Sequence, residues 1–238
     1  MDFNLPQGVA TEEERDVAGF SPLPTGVYKG VVQLVYIDQS AGGALNANFL
    51  VKVDNRVVTQ TIYFSNKEGK FTYKSKTDGK EQPLPGYSQV DSILQTITGK
   101  GISNQEVEEK VINIYDYTAR KEVPVKRKVF VDTINKPVAV GIQHISEERT
   151  TKDSNYTVGD GTYRDFNEFN KWFDPETGLT NAEAKASATE PKFLATWKAS
   201  NPADKVIVRA AAQSNASQGT AGVPTGAAAV KPAKSLFE

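Results

Sequence analysis

The chain contains no cysteine, one histidine (His144) and one methionine among 238 residues. Without cysteine there is no disulfide framework, thiolate zinc site, iron–sulfur cluster or cysteine nucleophile. A single histidine excludes two-histidine metal motifs of the H-E-x-x-H kind. It leaves one choice of base for a Ser-His-Asp arrangement, and no elbow motif flanks His144, so a structural histidine is expected. No apolar run approaches the roughly 18 residues of a membrane helix, and no membrane partner is expected. The acidic N-terminus lacks an apolar h-region, so no signal peptide is expected and a cytoplasmic site of action is the default. A dominant charge is also missing: 28 Lys+Arg against 29 Asp+Glu leaves 28 − 29 = −1, which argues against a generally basic duplex-DNA binder. Hydrophobic residues make up 38%, low enough to predict that part of the chain stays outside the core.

What is present is unevenly distributed. Residues 1–25 form an acidic arm, with five acids against Arg15 (−5 + 1 = −4) and a possible cap at Thr11 and Glu14. Residues 26–150 are β-rich. VYKGVVQLVYI (27–37) is dense in β-branched and aromatic residues, while 49–54 and 58–64 alternate apolar and polar positions. Turns are expected at Asn66–Gly69 and at Asp78–Gly79. A helix follows, capped by Ser88 with Asp91, striped by Val90, Ile93, Leu94 and Ile97, and ended by Gly99. Strands are then expected at 111–117, 126–134 and 138–145. Three strands, a helix and further strands predict a mainly β fold, an OB-fold-like five-stranded barrel with one capping helix. Residues 151–198 are expected to be an extension packing on the barrel. The stretch 147–176 carries eight acids and four bases (−8 + 4 = −4), and Tyr156, Tyr163, Phe166, Phe169, Trp172, Phe173, Phe193 and Trp197 call for burial. Thr180 with Glu183 is a second capping pattern. Residues 199–238 read as a low-complexity, disordered tail ending in an apolar motif, Leu236, Phe237 and Glu238.

Enzymatic motifs fail individually. Gly99-Lys100 lacks the first glycine and the Ser/Thr of a phosphate loop and follows a helix instead of opening one. Asp153-x-Asn155-x-Thr157 lacks the glycine and terminal glutamate of a calcium loop. The acids between 160 and 176 read as a solvated face. A non-enzymatic protein with no cofactor and no metal is expected.

One surface pattern survives. If Ile62 and Phe64, Ile112 and Ile114, and Val129 and Val131 point inward, alternation sends Tyr63, Tyr115 with Tyr117, and Phe130 outward, beside Lys52, Lys126 and Lys128. The hairpin adds Lys67, Lys70, Phe71, Tyr73, Lys74 and Lys76. Residues 50–80 carry seven bases and three acids (+4), and residues 110–130 six and two (+4). Rings interleaved with lysines suit single-stranded nucleic acid, whose bases stack and whose phosphates attract cations. The competing reading is that these rings cover a second apolar layer and the lysines protect strand edges.

Together GVYKGVVQLVYI, the helix SQVDSILQTITGK and the run EEKVINIYDYTARKEVPVKRKVFVDTINKPVAVGI resemble bacteriophage single-stranded-DNA-binding proteins of the OB-fold type. The resemblance covers about 20–150 and the layout of a core followed by a tail. It implies a sequence-independent binder of single-stranded DNA that protects exposed strands in replication or recombination in the host cytoplasm. Its stacking aromatics and basic groove map onto Tyr63, Phe71, Tyr73, Tyr115 and Phe130 with Lys52, Lys70, Lys74, Lys126, Arg127 and Lys128. It also implies replication or recombination partners recruited through the tail. Here the sequence departs from the family, since Lys231 and Lys234 precede a single terminal acid. The alternative is a phage structural or host-directed protein–protein module that binds no nucleic acid.

Overall fold

β-Branched and aromatic residues dominate the first long strand, and the fold is organised around it. The computed structural model describes residues 21–116, 118–153, 156–211 and 214–215. Thr11, Glu14, Tyr117 and the tail residues Leu236, Phe237 and Glu238 lie outside the described residues. The protein is mainly β. In chain order come β1 (Gly26–Gln39), β2 (Leu45–Val53), β3 (Arg56–Tyr63), β4 (Thr72–Lys74), β5 (Glu81–Pro83), α1 (Pro85–Thr98), β6 (Val107–Asp116), β7 (Lys121–Phe130) and β8 (Pro137–Asp153). There follow β9 (Tyr156–Phe173), α2 (Asn181–Lys185), α3 (Lys192–Ser200), β10 (Val206–Arg209) and β11 (Ser214–Asn215). No helix among the described residues is long and apolar enough to cross a membrane.

The chain divides into two compact units, 1–146 with 165–207, and 147–164 with 208–238. In the first, β1 pairs antiparallel with β2, and β2 with β3. The other edge of β1 is shared: Gly26–Val31 pair with β8, and Tyr36 and Ile37 pair with β7. A register shift between Val32 and Leu34 marks the bulge at which β1 bends from one set of partners to the other. Alternation along β2 buries Ala47, Phe49, Val51 and Val53. These meet Val90, Ile93, Leu94 and Ile97 of α1 in one core cluster, with Phe169 and Trp172 of β9. A second cluster joins Ala139 and Phe173 to Trp197 of α3, whose Nε1–H donates to Asn170 Oδ1 at 2.7 Å.

The expected closed five-stranded barrel is not formed. The sheet is open, because β3 pairs only with β2 and no strand completes its other edge among the described residues. Side chains bridge that seam in place of a backbone ladder. Gln60 Oε1 on β3 accepts from the Phe169 backbone N–H of β9 at 2.8 Å. Asn167 of β9 clasps Leu23 through both backbone groups at 2.8 and 2.9 Å, and Arg56 at the start of β3 donates to the Ser21 carbonyl. Gln60→Ala leaves the Phe169 N–H without its acceptor and will lower unfolding free energy by about 1 kcal/mol. Gln60→Glu, which keeps an acceptor, will lose less. Urea denaturation of both variants checks this.

Two local expectations are also corrected. The Ser88–Asp91 capping box is absent, because α1 starts four residues earlier, with Leu84 at the cap and Pro85 in the first turn. Asp91 instead accepts from the Ile102 backbone N–H at 2.8 Å. Gly99 closes the helix in the left-handed conformation, and the Thr180–Glu183 box is present. The strand expected at 126–134 ends at Phe130 and gives way to a single 3-10 turn, Val131–Thr133.

The second unit holds the far ends of β8 and β9. Within it Arg164 Nε donates to Glu147 Oε2 at 3.0 Å, and Glu148 accepts from the Ala211 backbone N–H at 2.9 Å. Ser214 and Asn215 pair with Thr157 and Tyr156.

Candidate nucleic-acid interface

The register of β1, β2 and β3 fixes which side chains share the face away from the core. Four cross-strand rows result: Val31, Lys52 and Val57; Leu34, Leu50 and Thr59; Tyr36, Asn48 and Thr61; Asp38, Asn46 and Tyr63. Lys52 is exposed at one end and Tyr63, 51% exposed, stands at the other. Between them runs a polar ladder. Thr61 Oγ1 donates to Asn48 Oδ1 at 2.6 Å, and Asn48 Nδ2 donates to Asn46 Oδ1 at 2.7 Å. Tyr36, absent from the expected site, lies half-buried on this face. Burial first, and then the neighbouring Asp38 carboxylate, raise its hydroxyl pKa above the ordinary tyrosine value. The signal available in the sequence was the alternation of Asn46 and Asn48 with Ala47 and Phe49.

Beyond β1 the chain forms a ribbon. β6 pairs with β7 along its length, from Val107↔Phe130 to Asp116↔Lys121, whereas β7 meets β1 only at Val129 and Lys128. The register separates residues expected to act together. Arg127 lies on the Tyr36 side, where its Nε is 3.1 Å from Asp38 Oδ1, so its charge is locally compensated. Tyr115, 49% exposed, shares the opposite ribbon face with Lys126 and Lys128. Lys126 Nζ lies 3.8 Å from Glu109. Phe130 corrects the expectation outright: it is 1% exposed and belongs to the core cluster, so no base can stack on it. Simple alternation fails there because Val129 and Phe130 are both buried where β7 ends and the chain turns under the sheet.

The β4–β5 hairpin forms a separate two-stranded sheet. Phe71 is 41% exposed yet stacks on Phe64 (5.9 Å, 12°) and contacts Tyr87 (5.5 Å), which anchors the hairpin beside α1. Tyr73, 43% exposed, donates its hydroxyl to Gln82 at 3.1 Å. Lys74 and Lys76 are exposed, and neither makes a salt bridge among the described residues. In the preceding turn Asn66 Oδ1 accepts from the Glu68 and Lys70 N–H groups at 3.0 and 2.8 Å. Lys70 pairs with Glu68 at 2.8 Å. Their hydrogen bond raises the lysine pKa and lowers that of the glutamate. Gly43, at φ +92°, packs on this turn, and a Cβ there would sit 2.6 Å from the Lys67 carbonyl oxygen. Exposed Lys67 is thereby placed beside the β1–β2 connection.

The structure therefore unites Lys52 and Tyr63 with Tyr36, puts Tyr115, Lys126 and Lys128 on a second surface, and leaves Phe71, Tyr73, Lys74 and Lys76 on a third. His144 Nε2 lies 3.4 Å from Asp165 Oδ1, and its backbone N–H donates to Thr25 Oγ1 at 3.0 Å. Among the described residues no three metal-ligating side chains converge. No protein-family model matches the chain, and no curated protein matches it in sequence.

Proposed function

We propose that this chain is a non-enzymatic binder of single-stranded DNA that uses the outer face of β1, β2 and β3, flanked by the ribbon and the basic hairpin. The observation that carries the reading is the pair of tyrosines on that face. Tyr63 and Tyr36 border the Asn46–Asn48–Thr61 ladder, with Lys52 further along β2 at the other end of the same face. Exposed rings accept bases of any sequence, hydroxyls and amides accept or donate to base edges and sugars, and lysines follow the phosphates. The connectivity is consistent with an OB-type domain with an open seam: three meander strands, a helix, then β7 and β8 returning to the two halves of β1. With the resemblance described above, it supports a role in phage DNA replication or recombination in the host cytoplasm. The terminal Leu236, Phe237 and Glu238 are then the segment offered to protein partners.

Binding of a dye-labelled oligo-dT strand and of its duplex, followed by anisotropy, tests this. A labelled strand is preferable to tryptophan quenching because Trp172 and Trp197 are 5% and 4% exposed. The single strand will bind more tightly, with affinity falling as salt rises. Tyr63→Ala will weaken binding by about 1–3 kcal/mol, the contribution of one stacked base, without lowering the melting temperature. Equal affinity for both forms, or none for either, overturns the reading in favour of a protein–protein module. The compensation of Arg127 by Asp38 is the observation that such a module would explain.

A further inference from the structure

We propose that two copies of this chain associate through the free edge of β6, antiparallel, about a two-fold axis at Asn113. β6 is ten residues long and contains neither proline nor glycine. It hydrogen-bonds to β7 on one edge, and no strand occupies its other edge among the described residues. Edges of this length are usually blunted by a bulge, a proline or uncompensated charge. The charges here are compensated locally, with Lys110 2.7 Å from Glu108, and Glu109 opposite Lys128 and 3.8 Å from Lys126. The strand also leaves bulky apolar groups in water. Val107, Val111 and Tyr115 are 42%, 63% and 49% exposed and share one face. A two-stranded ribbon is marginal by itself, and a four-stranded sheet is not.

Self-pairing about Asn113 sets like chemistry against like. Val111 faces Tyr115 of the second copy, Ile112 faces Ile114, and Lys110 faces Asp116, each twice, with Asn113 opposite itself. Cross-strand pairs of these kinds are the stabilising ones in antiparallel sheets. The neighbouring registers are worse. An axis at Ile112 opposes Glu108 to Asp116, an axis at Val111 leaves Glu108 against Ile114 and Lys110 against Ile112, and an axis at Lys110 or Glu109 sets that charge against its own copy. The charge pattern therefore selects a second copy of this chain as the occupant, in one register.

The absence of native cysteine makes the test direct. Opposed residues in antiparallel strands have Cα atoms about 4.5–5.5 Å apart, within disulfide range. Asn113→Cys will form a linked dimer under mild oxidation. Val111→Cys, displaced along the strand from its own copy, will stay monomeric on denaturing gels. Sedimentation of the unmodified protein will show a monomer–dimer equilibrium. Lys110→Glu will shift it to monomer, since the new carboxylate meets Asp116 twice. A protein that stays monomeric across the concentration series overturns the proposal, as does linkage through position 111 in preference to 113. So does a Lys110→Glu variant that dimerises like the parent. None of these readouts involves DNA, so this inference and the proposed function fail separately.

Discussion

Replacing Trp172 by alanine will remove about 3–5 kcal/mol of folding stability, the range for truncating a buried aromatic. Trp172 is 5% exposed and packs against Phe49 at 5.4 Å and Phe169 at 5.0 Å, in the cluster that also holds the apolar stripe of α1. For a chain of this size about 2–4 °C is lost per kcal/mol, so the melting midpoint will fall by about 10 °C. The indole Nε1–H has no hydrogen-bond partner among the described residues. The loss in the alanine variant is therefore one of packing and of the cavity left behind, with no hydrogen bond forfeited. Trp172→Phe separates these contributions. It keeps a ring in the cluster and removes a buried unsatisfied donor, so it will lose far less than alanine does. Urea unfolding followed by circular dichroism measures both. An alanine variant within about 1 kcal/mol of the parent would show that β9 is not part of the core.

That result also bears on what could be read from the chain beforehand. The strands at 49–54 and 58–64 were legible because β2 and β3 are covered on one face and wetted on the other, so their apolar residues alternate, whereas 27–37 was legible from its density of β-branched and aromatic residues. β9 gives no such signal. Phe169, Trp172 and Phe173 are all buried, but the first two serve the main core and Phe173 the cluster around Trp197. A strand covered on both faces loses its period of two, and polar residues between these rings disguise it as an extension. The barrel expectation failed for a related reason. Closure depends on which edge meets which, and at the seam the chain uses Gln60, Asn167 and Arg56 side chains, which carry no edge-pairing signature. The candidate site was legible where alternation held, at Lys52 and Tyr63. It misled at Phe130, where the strand ends; it did separate Arg127 from Lys126 and Lys128, and Arg127 joined the expected site only through the family resemblance.

Gly86→Ala is the second substitution with a large expected effect, and it links the fold to the proposed interface. Gly86 lies in the first turn of α1, directly after Pro85. A Cβ at this position would overlap the Tyr63 carbonyl oxygen and stand 3.0 Å from its carbonyl carbon. Neither partner can give way cheaply. Moving α1 withdraws Val90, Ile93, Leu94 and Ile97 from the core, and moving the end of β3 withdraws Phe64, which is 3% exposed. Overpacking against side chains costs about 1–3 kcal/mol, and here the obstacle is backbone, so a loss of about 3 kcal/mol or more is expected. Gln89→Ala, exposed on the same helix, will stay within about 0.5 kcal/mol of the parent. If the alanine variant relieves the overlap by shifting the end of β3, the Tyr63 ring moves with its backbone. Its affinity for oligo-dT will then fall at temperatures where it remains folded, while that of Gln89→Ala will not. A Gly86→Ala variant as stable as the parent would mean that α1 is not seated against the end of β3.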